Sequence, residues 1–144
     1  MSETAAALAR GVRRLLRAKG YSTLTELSLI DGRRADVIAV NGEGALAIVE
    51  IKSSVADFRA DRKWRDYAPC CDRLYFAIPA EVPAEIMPED AGLIVADAYG
   101  AEIVREAPPH AVAPATRRAL LLRFALGAAD RLHRIVDPGG FGEG

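Results

Sequence analysis

The chain has 144 residues, 51% hydrophobic and 27% charged, which suits one domain with a core of its own. A formal net charge of −1 means that any polyanion must be held by a local patch and not by bulk charge. No apolar run approaches the roughly 18–20 residues that cross a bilayer, and the opening MSETAAALARGVRRLL lacks the pattern of a secretory leader, so no membrane partner and a cytoplasmic location are expected.

Residues 3–19 read as a helix, because Ala5, Leu8, Val12, Leu15 and Leu16 fall on one face. Arg10, Arg13, Arg14 and Arg17 line the opposite face, and Gly20 stands where a C-cap belongs. Three strands are expected over 23–30, 33–41 and 45–53, separated by the hairpin signals DG and NGEG. A second helix is predicted over 55–69. RLYFAIP (73–79) reads as a fourth strand, GLIVADAYGAEIVRE as two short strands around Tyr99-Gly100-Ala101, and 115–135 as a final Leu- and Ala-rich helix. The expected domain is 1–136, with 137–144 as a flexible tail. Adjacent Cys70 and Cys71 form neither a disulfide framework nor a zinc site and read as semi-buried thiols.

The expected fold class is α/β, an α+β mixed sheet with the order α-β-β-β-α-β followed by a C-terminal β-hairpin and helix. The second and third strands are apolar on both faces, so the sheet needs cover on both sides. Strands one to three should form an antiparallel meander, and a right-handed crossover should set the fourth parallel to the third. The last helix has little polar face: it packs on the sheet or forms a homodimer.

Glu50 and Lys52 interrupt the apolar run IVEIK. Three-residue hairpin loops at 30–32 and 42–44 pair Leu29 with Arg33 and Asn41 with Ala45. The same arithmetic sets Glu26 opposite Asp36 and Asp36 opposite Glu50, one acidic row across three strands with Lys52 following on the same face. Carboxylates about 4.5–5.5 Å apart at Cβ repel, and a hard divalent cation, Mg²⁺ or Mn²⁺, relieves that repulsion. The expected metal ligands are Glu26, Asp36, Glu50 and the backbone carbonyl of Ile51. The metal would acidify a bound water, and Lys52 would orient that water or stabilise charge on phosphorus. The same residues admit a plainer reading, in which Lys52 pairs with Glu50 or Asp36 to pin the sheet register.

At RRADVIAV and AIVEIKSS the chain resembles the PD-(D/E)xK nuclease superfamily, with Asp36 as the first motif acid and Glu50 and Lys52 as the E-x-K; Ala35 stands where that motif carries Pro. The longer string GRRADVIAV…IVEIKSSVADFRADRKWRDYAPCCDRLYFAIP is similar to the MmcB family of bacterial DNA repair proteins, over about residues 20–80. The resemblance implies a restriction-endonuclease-like fold, a role in DNA repair, and a basic side chain from the second helix, Lys63, as a catalytic helper beside Asp36, Glu50 and Lys52. DNA, with or without other repair proteins, is the implied partner. Arg10, Arg13, Arg14 and Arg17 would contact phosphates without reading bases, joined by Arg59, Arg62 and Ser53. Ser53 and Ser54 equally suit the cap of the second helix. A non-catalytic DNA-binding or adaptor protein on the same scaffold, or a purely structural protein, is the rival to a metal-dependent endonuclease.

Overall fold

The computed structural model describes residues 1–141. Its elements are α1 (Glu3–Ala18), β1 (Tyr21–Ser28), β2 (Arg34–Asn41), β3 (Leu46–Ile51), α2 (Val55–Ala60), β4 (Arg73–Ile78), β5 (Gly92–Ala96), β6 (Ala101–Arg105) and α3 (Pro114–Val136). The six strands form one sheet in sequential order. β1, β2 and β3 are antiparallel neighbours; β4 is parallel to β3, β5 is parallel to β4, and β6 closes an antiparallel hairpin on β5. The expected order α-β-β-β-α-β with a hairpin and a helix is the observed one.

Period-two alternation in β2 and β3 sends apolar side chains to both faces, and two cores result. On one side Leu8, Val12 and Leu16 of α1 pack on Val37, Val49 and Ile51. On the other, Ile38, Leu46, Ile48 and Phe76 meet Trp64, Tyr67 and Leu120. Trp64 and Phe58 strike the Phe76 ring edge-on, with centroids 5.2 and 5.6 Å away, contacts worth about 0.5–1.5 kcal/mol each beyond burial.

The hairpin loops close where the spacing predicts. Leu29 N–H donates to the Arg33 carbonyl at 2.7 Å and Asn41 N–H to the Ala45 carbonyl at 3.2 Å. Gly32 and Gly44 take positive φ in these turns, and Gly20 does so just past α1, where a side chain would be strained.

The second helix differs from expectation. Instead of running over 55–69, α2 ends at Ala60, and a 3₁₀ segment, Trp64–Cys70, follows. Asp61 leaves the helix with an extended backbone and its Oδ1 accepts from the Lys63 N–H at 3.0 Å. In the 3₁₀ turn, residues three apart eclipse, so Trp64 and Tyr67 both enter the core.

α3 buries one stripe and leaves the other open: Leu120 is fully buried, while Leu122, Leu126, Leu132 and Ile135 are exposed. Its start is tied down by Arg117, whose two Nη atoms each lie 2.7 Å from an oxygen of Asp72. That bidentate bond holds the Asp72 carboxyl below the usual range. Pro138–Phe141, within the expected tail, forms a 3₁₀ turn; residues 142–144 lie outside the described residues. No helix among the described residues is long and apolar enough to cross a membrane.

Candidate active site

The site forms where β2 begins and β3 ends. The register runs Val37 to Val49 and Ile38 to Ile48, which sets Asp36 and Glu50 next in line, at the point where regular pairing stops. Side chains replace the ladder there. Asp36 N–H donates to Glu50 Oε2 at 2.9 Å, and Ile51 N–H donates to Asp36 Oδ2 at 2.8 Å. Each carboxylate therefore holds the other strand's backbone, and both are fixed before any ligand arrives.

Glu50 is only 5% exposed and shares its face with Ile48, beneath the 3₁₀ segment. Burial, and after it the charge of Asp36, pushes the Glu50 carboxyl up to about 8; the Asp36 N–H, Lys52 and Tyr67 pull it down. Asp36 is also raised, chiefly by burial, against the Ile51 N–H and Lys52. Burial thus favours the protonated form of both acids. Such a pair suits a divalent cation, which takes the proton's place and satisfies both oxygens' charge.

Lys52 is 8% exposed, and its backbone continues the parallel ladder by donating to the Ala77 carbonyl at 2.9 Å. Its ammonium reaches neither Glu50 nor Asp36 within ion-pair distance; Nζ instead lies 2.7 Å from Asp61 Oδ2. Asp61 is absent from the sequence-derived candidates because it falls inside the helix expected over 55–69, beside Arg59 and Arg62. The signal for it is the missing apolar position at the end of α2, where the helix has to break. Tyr67 is a second residue absent from the sequence-derived candidates: its hydroxyl donates to the Arg34 carbonyl at 3.2 Å and lies near enough to Glu50 to lower that carboxyl.

Glu26 is a correction. The hairpin arithmetic holds on both sides of it, at Thr25–Val37 and Leu27–Ala35, but the Glu26–Asp36 pair itself is absent from the ladder. Glu26 has φ 52°, strained for a residue with a Cβ. The kink changes the alternation, so Leu27 and Ala35 enter the same core as Ile38 and Ile48. It also turns the Glu26 carboxylate to the Met1 ammonium at 3.3 Å and Arg34 at 3.9 Å. Its charge still raises Asp36, after burial and the two stabilising contacts. Among the described residues no group of three His, Cys, Asp or Glu gathers as a metal cluster, so the acids available to a cation are Asp36 and Glu50. Ile51, the candidate carbonyl ligand, is buried between Glu50 and Lys52 with its N–H on Asp36.

Lys63 is exposed, and its contact with this region is the backbone N–H on Asp61. Ser54 caps α2 by accepting from Asp57 N–H at 3.0 Å, and Ser53 Oγ donates to Asp57 Oδ2 at 2.6 Å, so the serines serve the helix start. Arg59 and Arg62 are exposed, on the segment whose Phe58 joins the core beside the pair. Arg10, Arg13, Arg14 and Arg17 are exposed on α1, across the sheet from the carboxylates.

The family model for DNA repair protein MmcB-like matches residues 1–139. The chain belongs to the MmcB-like DNA repair protein family. Among solved structures it is similar to SPO1766, a protein of unknown function from Silicibacter pomeroyi, at 46% identity over 99% of this chain and 97% of that one, with a TM-score of 0.95. A repair endonuclease from Pyrococcus abyssi superposes loosely, at 17% identity over 55% of this chain and 39% of that one, with a TM-score of 0.38. The comparison with curated proteins gives no match. Membership in the MmcB-like family carries a role in DNA repair, and with it an interaction with DNA.

Proposed function

We propose that the protein is a Mg²⁺- or Mn²⁺-dependent deoxyribonuclease that hydrolyses phosphodiester bonds in repair. The observation that carries this reading is the reciprocal clasp of Asp36 and Glu50 at the end of an apolar strand, with Lys52 one position on. Asp36 and Glu50 would hold the cation, which supplies an acidified water and charge neutralisation at phosphorus. Glu50 would give up its proton on holding the cation. Asp36, fixed by the Ile51 N–H, keeps the second carboxylate in place. Lys52 offers a positive charge to the phosphate, and Asp61 aims it. Arg59 and Arg62 would meet the flanking phosphates.

One observation favours the rival, a non-catalytic DNA-binding protein: the ammonium of Lys52 is already engaged by Asp61. Incubating the wild type and Glu50→Ala with labelled duplex, flap and junction DNA, with Mg²⁺ or Mn²⁺, decides between them. The nuclease reading expects cleavage that needs metal and is lost in the variant. DNA binding without cleavage of any structure supports the rival.

A further inference from the structure

The arginines of α1 line an open cavity of about 750 Å³ between that helix and the edge strand β1. Two of them are anchored. Arg13 donates Nε to Thr23 Oγ1 at 2.8 Å and Nη2 to the Thr23 carbonyl at 3.3 Å; Arg14 donates Nη1 to the Tyr99 carbonyl at 3.1 Å. Among the described residues the side chains of Arg10 and Arg17 hold no hydrogen bond or ion pair, so their guanidiniums are available to a ligand. Four guanidiniums and the Met1 ammonium share the cavity wall with a single carboxylate, Glu26, which the ammonium meets at 3.3 Å.

This cavity lies across the sheet from Asp36 and Glu50, yet the two places adjoin. Glu26 lines the cavity, and its chain neighbours Thr25 and Leu27 pair with Val37 and Ala35 on either side of Asp36. β1 is the sheet edge, and at the Glu26 kink α3 reaches it through Arg131, whose Nη2 donates to the Glu26 carbonyl at 3.3 Å, so a chain passing from the carboxylates to the arginines has to round the edge past that guanidinium. A stiff duplex cannot follow so sharp a turn, since smooth bending over a site of 20–30 base pairs already costs on the order of 1–6 kcal/mol. A single strand can. Arg10 and Arg17 stand two turns apart, about 10 Å, the rise of about three stacked nucleotides. Tyr21 and Thr25 in the wall add an aromatic face and a hydroxyl, the mixture that splayed bases and a phosphate chain use.

We propose that the cavity between α1 and β1 is a second nucleic-acid site, which takes about three nucleotides of single strand adjoining the bond held at Asp36 and Glu50. The tie to a scissile bond rests on the nuclease reading; the affinity for a phosphate chain rests on the arginines. The test is fluorescence anisotropy of a short labelled oligothymidylate, with EDTA present so that the metal site is silent, against a blunt duplex of equal length. Wild type should bind the single strand more tightly. Arg10→Ala/Arg17→Ala should weaken it at least about tenfold and flatten the salt slope by roughly 1.4, for two lost single-strand phosphate contacts. Arg10→Lys/Arg17→Lys should recover most of that slope, and the melting midpoint shows that all variants fold. No binding by the wild type, equal binding of duplex, or an alanine variant that binds like wild type overturns the proposal. An arginine-dependent single-strand affinity in a protein that cuts nothing would sink the nuclease reading and leave this site standing.

Discussion

Lys52 and Asp61 form a largely buried ion pair, with Nζ 2.7 Å from Oδ2 and side chains 10% and 19% exposed. Removing one partner leaves the other charge desolvated. Asp61→Ala should therefore cost about 3–5 kcal/mol of unfolding free energy in denaturant titrations, and Asp61→Asn less. Lys52→Ala/Asp61→Ala should be more stable than the sum of the single changes implies. Strict additivity would mean that the two side chains do not act as a pair.

The Glu50 carboxyl, raised from 4.5 to about 8, predicts an unusual pH dependence. Between those values the folded state holds a proton that the unfolded state has released. Stability contributed by this group is thus full below about 4.5 and is lost as pH rises through about 8. Glu50→Gln, an uncharged mimic of the protonated acid, should remove that decline, as read from melting midpoints between pH 5 and 9. A metal competes with the same proton, so stabilisation by Mg²⁺ or Mn²⁺ should grow over this range in the wild type. A wild-type profile parallel to that of Glu50→Gln would count against the buried, protonated acid.

Tyr67→Phe removes the hydroxyl that bonds the Arg34 carbonyl and pulls the Glu50 carboxyl down. Its loss should cost about 1 kcal/mol. It should also move the Glu50 transition to higher pH, because the nearby hydroxyl it deletes favours the charged acid. An Asp36-Glu50 pair titrating at an unchanged pH in this variant, followed by carboxyl NMR shifts, would argue against the contact.

Gly11 in α1 reverses the ordinary rule for helices. Glycine to alanine inside a helix usually stabilises by up to about 1 kcal/mol. Here an added Cβ would run into the carbonyl oxygens of Asp97 and Gly100, backbone atoms of the β5–β6 turn. Gly11→Ala should destabilise by about 1–3 kcal/mol in chemical denaturation, as overpacking does. It should leave metal binding intact, because the clash is on the far side of the sheet.

Local rules made most of the frame legible. The DG and NGEG turns set the registers that bring Asp36 and Glu50 together, and the apolar runs of β2 and β3 announced a sheet covered twice. What escaped was decided by tertiary contact. Asp61 abandons its helix for Lys52, a choice that no helical periodicity records. Glu26 takes a left-handed backbone that hairpin arithmetic cannot foresee, and so leaves the acidic row. Even the arginine stripe of α1, plain in the sequence, carried no sign of which side of the sheet it would cover.

In the proposed site Asp36 and Glu50 together hold one divalent cation. The decisive measurement is calorimetric titration of Mn²⁺ into wild type and Asp36→Asn, in buffers of different ionisation enthalpy. One ion per chain is expected in the wild type, bound with release of a proton, and no such binding in Asp36→Asn, which remains folded. Binding that survives the substitution, or a wild type that takes up no ion, would contradict it.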